Sequence, residues 1–199
     1  MRDPIQYDAI LADSADFKMA SDKTTGQWLR AMAASKGNGR FLDLGTGTGL
    51  SACWILDGMD ARSTLLTVDN DAELTAVARR HLGHDPRLEF VLENGELTLR
   101  RLAAQGAKFD YIFADTWPGK IFHRDLALGL LAEHGLYLVD DMLPQADWSA
   151  EHAAVMAELT ADLNSRDFLA CIQLNDSTGL MMCTRLPSHT WSHEAGSPS

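Results

Sequence analysis

The chain has 199 residues, 46% of them hydrophobic and 23% charged, which is enough to bury the core of one soluble domain. No apolar run approaches the roughly 20 residues of a membrane span, and Met1-Arg2-Asp3-Pro4 lacks the apolar core of a signal peptide, so a cytoplasmic location is expected. A formal net charge of −11, from 28 acids against 17 Lys plus Arg, repels phosphate backbones and argues against a nucleic-acid partner.

Residues 1–20 carry Ile5, Tyr7, Ile10, Leu11, Phe17 and Met19 at loosely helical spacing, which predicts one or two short helices capping the ligand site. Ser21-Asp22-Lys23 is a helix start signal, and Thr25 to Ser35 reads as a helix with Trp28, Leu29 and Met32 on one face. Four strand-and-helix units follow a loop at residues 36–39. They are strand 40–45 with helix 49–58, strand 64–69 with helix 71–82, strand 87–92 with helix 96–105, and strand 109–114 with a helix near 121–133. A fifth strand is expected over 135–140, after a turn at His134-Gly135. Short Val/Ile/Leu/Phe runs alternating with helical stretches predict an α/β fold, a parallel sheet covered by helices on both faces. Right-handed crossovers then step the first three strands outward and start the fourth on the other side of the first, so a ligand binds at the strand carboxyl ends.

Beyond Pro144, Asp147 to Arg166 is expected as a long helix with Val155, Met156, Leu159 and Leu163 on its buried face. Phe168 to Leu174 and Gly179 to Thr184 read as a hairpin around Asn175-Asp176-Ser177-Thr178. Residues 187–199 lack periodicity and are expected to form a disordered tail, which leaves 1–186 as one domain with 1–36 as its helical cap. His189 and His193 in that tail make a poor metal site. Cys53, Cys171 and Cys183 show no metal-ligand spacing and read as reduced, buried thiols.

The stretch Asp43-Leu44-Gly45-Thr46-Gly47-Thr48-Gly49 joins an apolar strand to a helix. A strand, a glycine turn and a helix start put free N–H groups and a positive helix end into one crevice. Glycine lets the backbone pass close to a ligand there. Asp69 ends the next apolar run, where a carboxylate can accept both ribose hydroxyls of a nucleoside. The spacing is G-x-G-x-G, not the G-x-G-x-x-G that suits a dinucleotide pyrophosphate.

With these motifs the chain resembles the class I S-adenosylmethionine-dependent methyltransferases, most closely the small catechol and caffeoyl-CoA type O-methyltransferases. The resemblance runs from about Ser21 to about Arg185 through Asp43–Gly49, Thr67-Val-Asp-Asn70, Phe109-Asp-Tyr-Ile-Phe-Ala-Asp-Thr-Trp117 and Gly135-Leu-Tyr-Leu-Val-Asp-Asp141. It implies a Rossmann-like, doubly wound sheet of seven strands in the order 3-2-1-4-5-7-6, the last hairpin adding an antiparallel strand. It also implies S-adenosylmethionine as cofactor, a small-molecule hydroxyl as acceptor, and a homodimer.

The residues implied to hold the cofactor are Asp43, Gly45, Thr46, Gly47, Gly49, Asp69, Asn70, Asn94, Gly95, Asp115 and Trp117. Asn94 stands near the family's adenine-binding acid, although an Asn-Gly turn explains it equally well. Lys23 and Gln27 are candidates for the pocket near the sulfonium. Asp115, Asp140 and Asp141 offer three carboxylates at neighbouring strand ends, a hard oxygen set suited to Mg²⁺ or another divalent ion. Alternation of side chains along a strand could still turn one of Asp140 and Asp141 away. The family pattern has Asp-Asn at that pair, and its catalytic lysine falls where this chain has Pro118. Lys120, two residues on and after Gly119, is the replacement the sequence offers, beside Asp115, for the catalytic role; a surface lysine is the alternative. Two other functions fit less of the pattern: an NAD-dependent oxidoreductase and a non-catalytic nucleoside-binding module.

Overall fold

The computed structural model describes residues 2–14, 17, 21–146 and 148–187. In chain order the elements are α1 (Tyr7–Asp13), α2 (Lys23–Ala34), β1 (Arg40–Leu44), α3 (Leu50–Gly58), β2 (Thr64–Asp69), α4 (Ala72–Leu82), β3 (Leu88–Leu92) and α5 (Gly95–Ala104). They continue with β4 (Phe109–Ala114), the kinked turn α6 (Trp117–Lys120), α7 (Arg124–Gly129), β5 (Leu131–Val139), α8 (Ala150–Ser165), β6 (Leu169–Leu174) and β7 (Leu180–Arg185).

The seven strands form one sheet in the order β3-β2-β1-β4-β5-β7-β6. Strands one to five are parallel, and β7 runs antiparallel to both β5 and β6. Because strand side chains alternate, each central strand feeds two cores. Leu42, Leu44, Ile112, Ala114, Tyr137 and Val139 pack on one face, while Phe41, Tyr111, Phe113, Leu136 and Leu138 pack on the other. Burial on both faces is why these strands read as continuous apolar runs.

On the second face α1 and α2 lie over α3. Tyr7 meets the Trp54 ring edge-on, with centroids 5.3 Å apart. Gly26 of α2 faces the same indole, and a Cβ there would fall 2.3 Å from its atoms. The helix-helix contact thus depends on a missing side chain.

Two expectations change in the structure. The helix near 121–133 is only α7, Arg124–Gly129, and β5 begins at Leu131, not at residue 135. Leu131 pairs with Phe109, after which the register shifts before Tyr111 pairs with Leu136. His134-Gly135 is therefore an irregularity inside a strand, not the turn before it; His134 has a positive φ of 61°, a conformation uncommon outside glycine. The long helix starts at Ala150, capped by the Ser149 hydroxyl, which accepts from the His152 N–H. Its expected first residue, Asp147, lies outside the described residues, as do Met19, His189, His193 and the tail from residue 188.

The three cysteines are unpaired; Cys53 and Cys183 are buried, while Cys171 is only half-buried. Among the described residues no helix is long and apolar enough to cross a membrane.

Candidate active site

The glycine turn lies flat across neighbouring strand ends because side chains cannot fit on it. Gly45, Gly47 and Gly49 have φ of 112°, 49° and 96°, values that L side chains seldom adopt. A Cβ on Gly45 would stand 2.9 Å from the Asp115 carbonyl oxygen, and one on Gly49 2.9 Å from Cβ of Ala78. The Phe17 ring lies against Gly47, 3.1 Å from the position of its absent Cβ. Among the described residues no side chain caps α3, so its first N–H groups stay available to a ligand.

Strand β2 holds this turn in place. The Gly45 and Thr46 N–H groups both donate to the Val68 carbonyl, at 2.9 and 3.2 Å. The Gly47 N–H donates to Asp69 Oδ2 at 2.7 Å, and the Asp71 N–H to Asp69 Oδ1 at 2.9 Å. Among the described residues each Asp69 oxygen thus has one backbone donor, which leaves it a further lone pair. Asn70 follows on the surface.

Asp43 sits differently. It is fully buried beneath the turn, where it accepts from the Thr67 hydroxyl at 2.8 Å and from Ser51 at 3.3 and 3.4 Å. Thr46 is buried as well, and its hydroxyl meets that of Thr67 at 2.7 Å. Burial pushes the Asp43 carboxyl up to about 7, with the two hydroxyls pulling the other way. The Asp43 and Thr46 side chains therefore brace the turn through Thr67.

A second group gathers at the ends of β4 and β5. Pro118 and Gly119 have non-helical backbones, and Gly119 takes a φ of 95°. A Gly119 Cβ would strike Leu44 Cδ1 at 2.5 Å, and the Tyr137 hydroxyl donates to the Gly119 carbonyl at 2.5 Å. This kink turns Lys120 inward until it is 8% exposed. Its Nζ lies 3.9 Å from Asp115 Oδ1 and 3.9 Å from Asp141 Oδ2. Burial, then Asp140, raises the Asp115 carboxyl well above the usual range, and Lys120 opposes this. Burial and the neighbouring Asp141 push Asp140 up to about 6.

The three carboxylates do not fit a divalent ion. Asp140 Oδ1 already accepts from the Asp141 N–H at 2.8 Å, Thr178 at 2.9 Å and Thr25 at 3.4 Å. Asp141 Oδ1 accepts from Gln145 at 2.9 Å, and Asp115 Oδ2 from Ser21 at 3.4 Å. The two remaining oxygens of Asp115 and Asp141 face the Lys120 ammonium. Among the described residues no three His, Cys, Asp or Glu side chains are arranged to hold a metal. A cation, Lys120, already stands among the acids expected to form the hard oxygen set.

The other expected residues are scattered around these two groups. Asn94 caps α5, its side-chain oxygen accepting from the Glu96 N–H at 2.8 Å, and Gly95 packs against Pro118. Trp117 is 54% exposed, stacked on Phe122 at 5.6 Å and edge-on to His152 at 6.2 Å. Lys23 pairs with Asp3 at 2.7 Å on the surface, and Gln27 is half-buried. Ser21, Thr25, Gln145 and Thr178, which bond the acids, were invisible in the sequence. Short hydroxyl and amide residues carry no periodic signal, and Thr25 lies 115 positions from Asp140. Of the surface hollows, one of about 180 Å³ adjoins the turn, lined by Asp13, Ser14, Phe17, Thr48, Leu74 and Val77. A larger one of about 360 Å³ lies by Gly129, Phe168 and Arg185, at the opposite end of the sheet.

The profile of a methyltransferase domain matches residues 42–142, half of the chain and the part that carries both groups. The chain belongs to this methyltransferase family. A Citrobacter koseri tRNA1(Val) (adenine(37)-N6)-methyltransferase is 25% identical over 84% of this methyltransferase chain and 64% of its own length. A Mycobacterium leprae protein provisionally named an O-methyltransferase is 29% identical over 57% of the chain and 54% of its own length. The chain thus spans about half to two thirds of the length of these curated relatives. The crystal structure of an O-methyltransferase from Bacillus cereus in complex with SAH superposes with a TM-score of 0.80, at 15% identity, covering 93% of this chain and 92% of that one. At that identity the likeness is one of fold.

Proposed function

We propose that this methyltransferase binds S-adenosylmethionine and transfers its methyl group to the hydroxyl of a small molecule. The observation that carries the reading is the side-chain-free turn Gly45–Gly49 clamped to Asp69. The turn would hold the methionine part of the cofactor, and Asp69 would accept from the ribose hydroxyls. The Bacillus cereus neighbour with SAH bound supports the cofactor, and the Mycobacterium leprae relative supports oxygen as the acceptor atom. The net charge of −11 argues against transfer RNA, the substrate of the Citrobacter relative.

When bound, the cofactor would supply an electrophilic methyl group, its sulfur keeping the electron pair of the carbon–sulfur bond as the acceptor oxygen takes the methyl carbon. We assign Asp115 to receive the acceptor proton and Lys120 to place positive charge beside the acceptor oxygen. Rate enhancement then comes mainly from in-line positioning.

Calorimetric titration of the protein with S-adenosylhomocysteine tests the cofactor, with NAD as the competing ligand. Saturable binding of the homocysteine compound alone is expected. Binding of NAD alone would overturn the reading in favour of an oxidoreductase.

A further inference from the structure

The Lys120 ammonium occupies the position between Asp115 and Asp141 that a divalent ion would need. We infer that Lys120 is the resident cation of this site and takes over the electrostatic role of a metal; this rests on the methyltransferase reading above. Three observations converge on it. Pro118 and Gly119 redirect the chain by a kink that only a residue without a Cβ permits at 119, and Tyr137 fixes that kink through the Gly119 carbonyl. The result is a lysine 8% exposed among acids, where a surface lysine would have been the ordinary outcome. Its two carboxylate partners stand at equal distances of 3.9 Å.

The donor chemistry points the same way. Mg²⁺ demands near-octahedral oxygen ligands about 2.0–2.1 Å away. Here Asp140 Oδ1 is turned to Thr25, Thr178 and the Asp141 N–H. An ion entering between Asp115 and Asp141 would meet the ammonium as a like charge at close range, which is unfavourable in a low-dielectric site. A lysine tethered by its own chain also needs no ion from solution. The third carboxylate, Asp141, gives the ammonium its second partner.

The test is Mn²⁺ titration followed by the loss of the free-ion paramagnetic resonance signal, run with and without S-adenosylhomocysteine. Wild-type protein is expected to show no saturable site up to ~1 mM, the weak end of biological divalent sites. Lys120→Met, verified as folded by circular dichroism, is expected to gain a saturable site at least tenfold tighter than any wild-type binding. The inference is overturned if wild-type protein binds Mn²⁺ saturably and Asp115→Asn abolishes that binding. It is equally overturned if folded Lys120→Met binds Mn²⁺ no better than wild type. Calorimetry with S-adenosylhomocysteine reads the methyltransferase assignment separately, so failure of one leaves the other standing.

Discussion

The Gly47 N–H donates to Asp69 Oδ2 at 2.7 Å, tying the centre of the glycine turn to the end of β2. One carboxylate thus shapes the turn and, on our reading, holds the ribose. Asp69→Ala removes both functions, and the loss of charge-assisted bonds is expected to cost about 1.5–3 kcal/mol, more than tenfold in affinity for S-adenosylhomocysteine. Calorimetry giving the wild-type affinity for this variant would exclude Asp69 from the cofactor site.

Asp43 makes folding depend on pH. Its carboxyl is raised to about 7 in the folded protein from 3.8, so the folded state holds the proton more tightly than the unfolded chain. That contribution is complete below about pH 4 and is lost as pH rises through about 7. The span is on the order of 4 kcal/mol at most. Asp43→Asn should flatten this slope and narrow the difference between urea midpoints at pH 5 and pH 8. A slope equal to that of wild type would show that Asp43 does not titrate there.

Gly119→Ala adds a methyl group at a φ of 95° and 2.5 Å from Leu44 Cδ1. Strain and overpacking together should destabilise the fold by about 1–3 kcal/mol. The same change should swing Lys120 out from between Asp115 and Asp141. Chemical denaturation measures the first effect. A stability equal to wild type would mean that the kink relaxes without cost.

Trp117 is more than half exposed, so Trp117→Ala should leave stability within about 0.5 kcal/mol, as for surface substitutions generally. If the indole walls the cofactor, affinity for S-adenosylhomocysteine should fall all the same. Calorimetry showing no change would remove Trp117 from the binding surface and leave it to the aromatic cluster with Phe122 and His152.

The fold was legible because a parallel sheet writes itself as apolar runs: strands β2 and β4 fall on the residues their sequence predicts. The start of β5 was hidden because Leu130, Leu131 and Leu136 suit a helix as well as a strand, and only pairing with Phe109 settles the matter. Within the site, glycines and strand-end acids announced themselves by position. What those acids do was not legible. Asp43 and Asp69 look alike in sequence, yet one is buried under the turn and the other accepts from its Gly47 N–H. The inward course of Lys120 depends on a kink at Pro118-Gly119, and a Pro-Gly pair by itself permits the surface course equally.

Gly26 has a consequence for anyone who would retrain this protein. The bare Cα lets α2 settle onto Trp54, and Thr25, the residue before it, reaches Asp140 at 3.4 Å. The height of the roof over the end of β5 is therefore fixed by a residue that touches no acid. Directed evolution toward bulkier acceptors gains nothing from diversity at position 26, where any added atom lifts the roof and severs the Thr25 bond together. Libraries belong at Ser21 and Gln145, which bond Asp115 and Asp141 and take no part in the contact of α2 with Trp54.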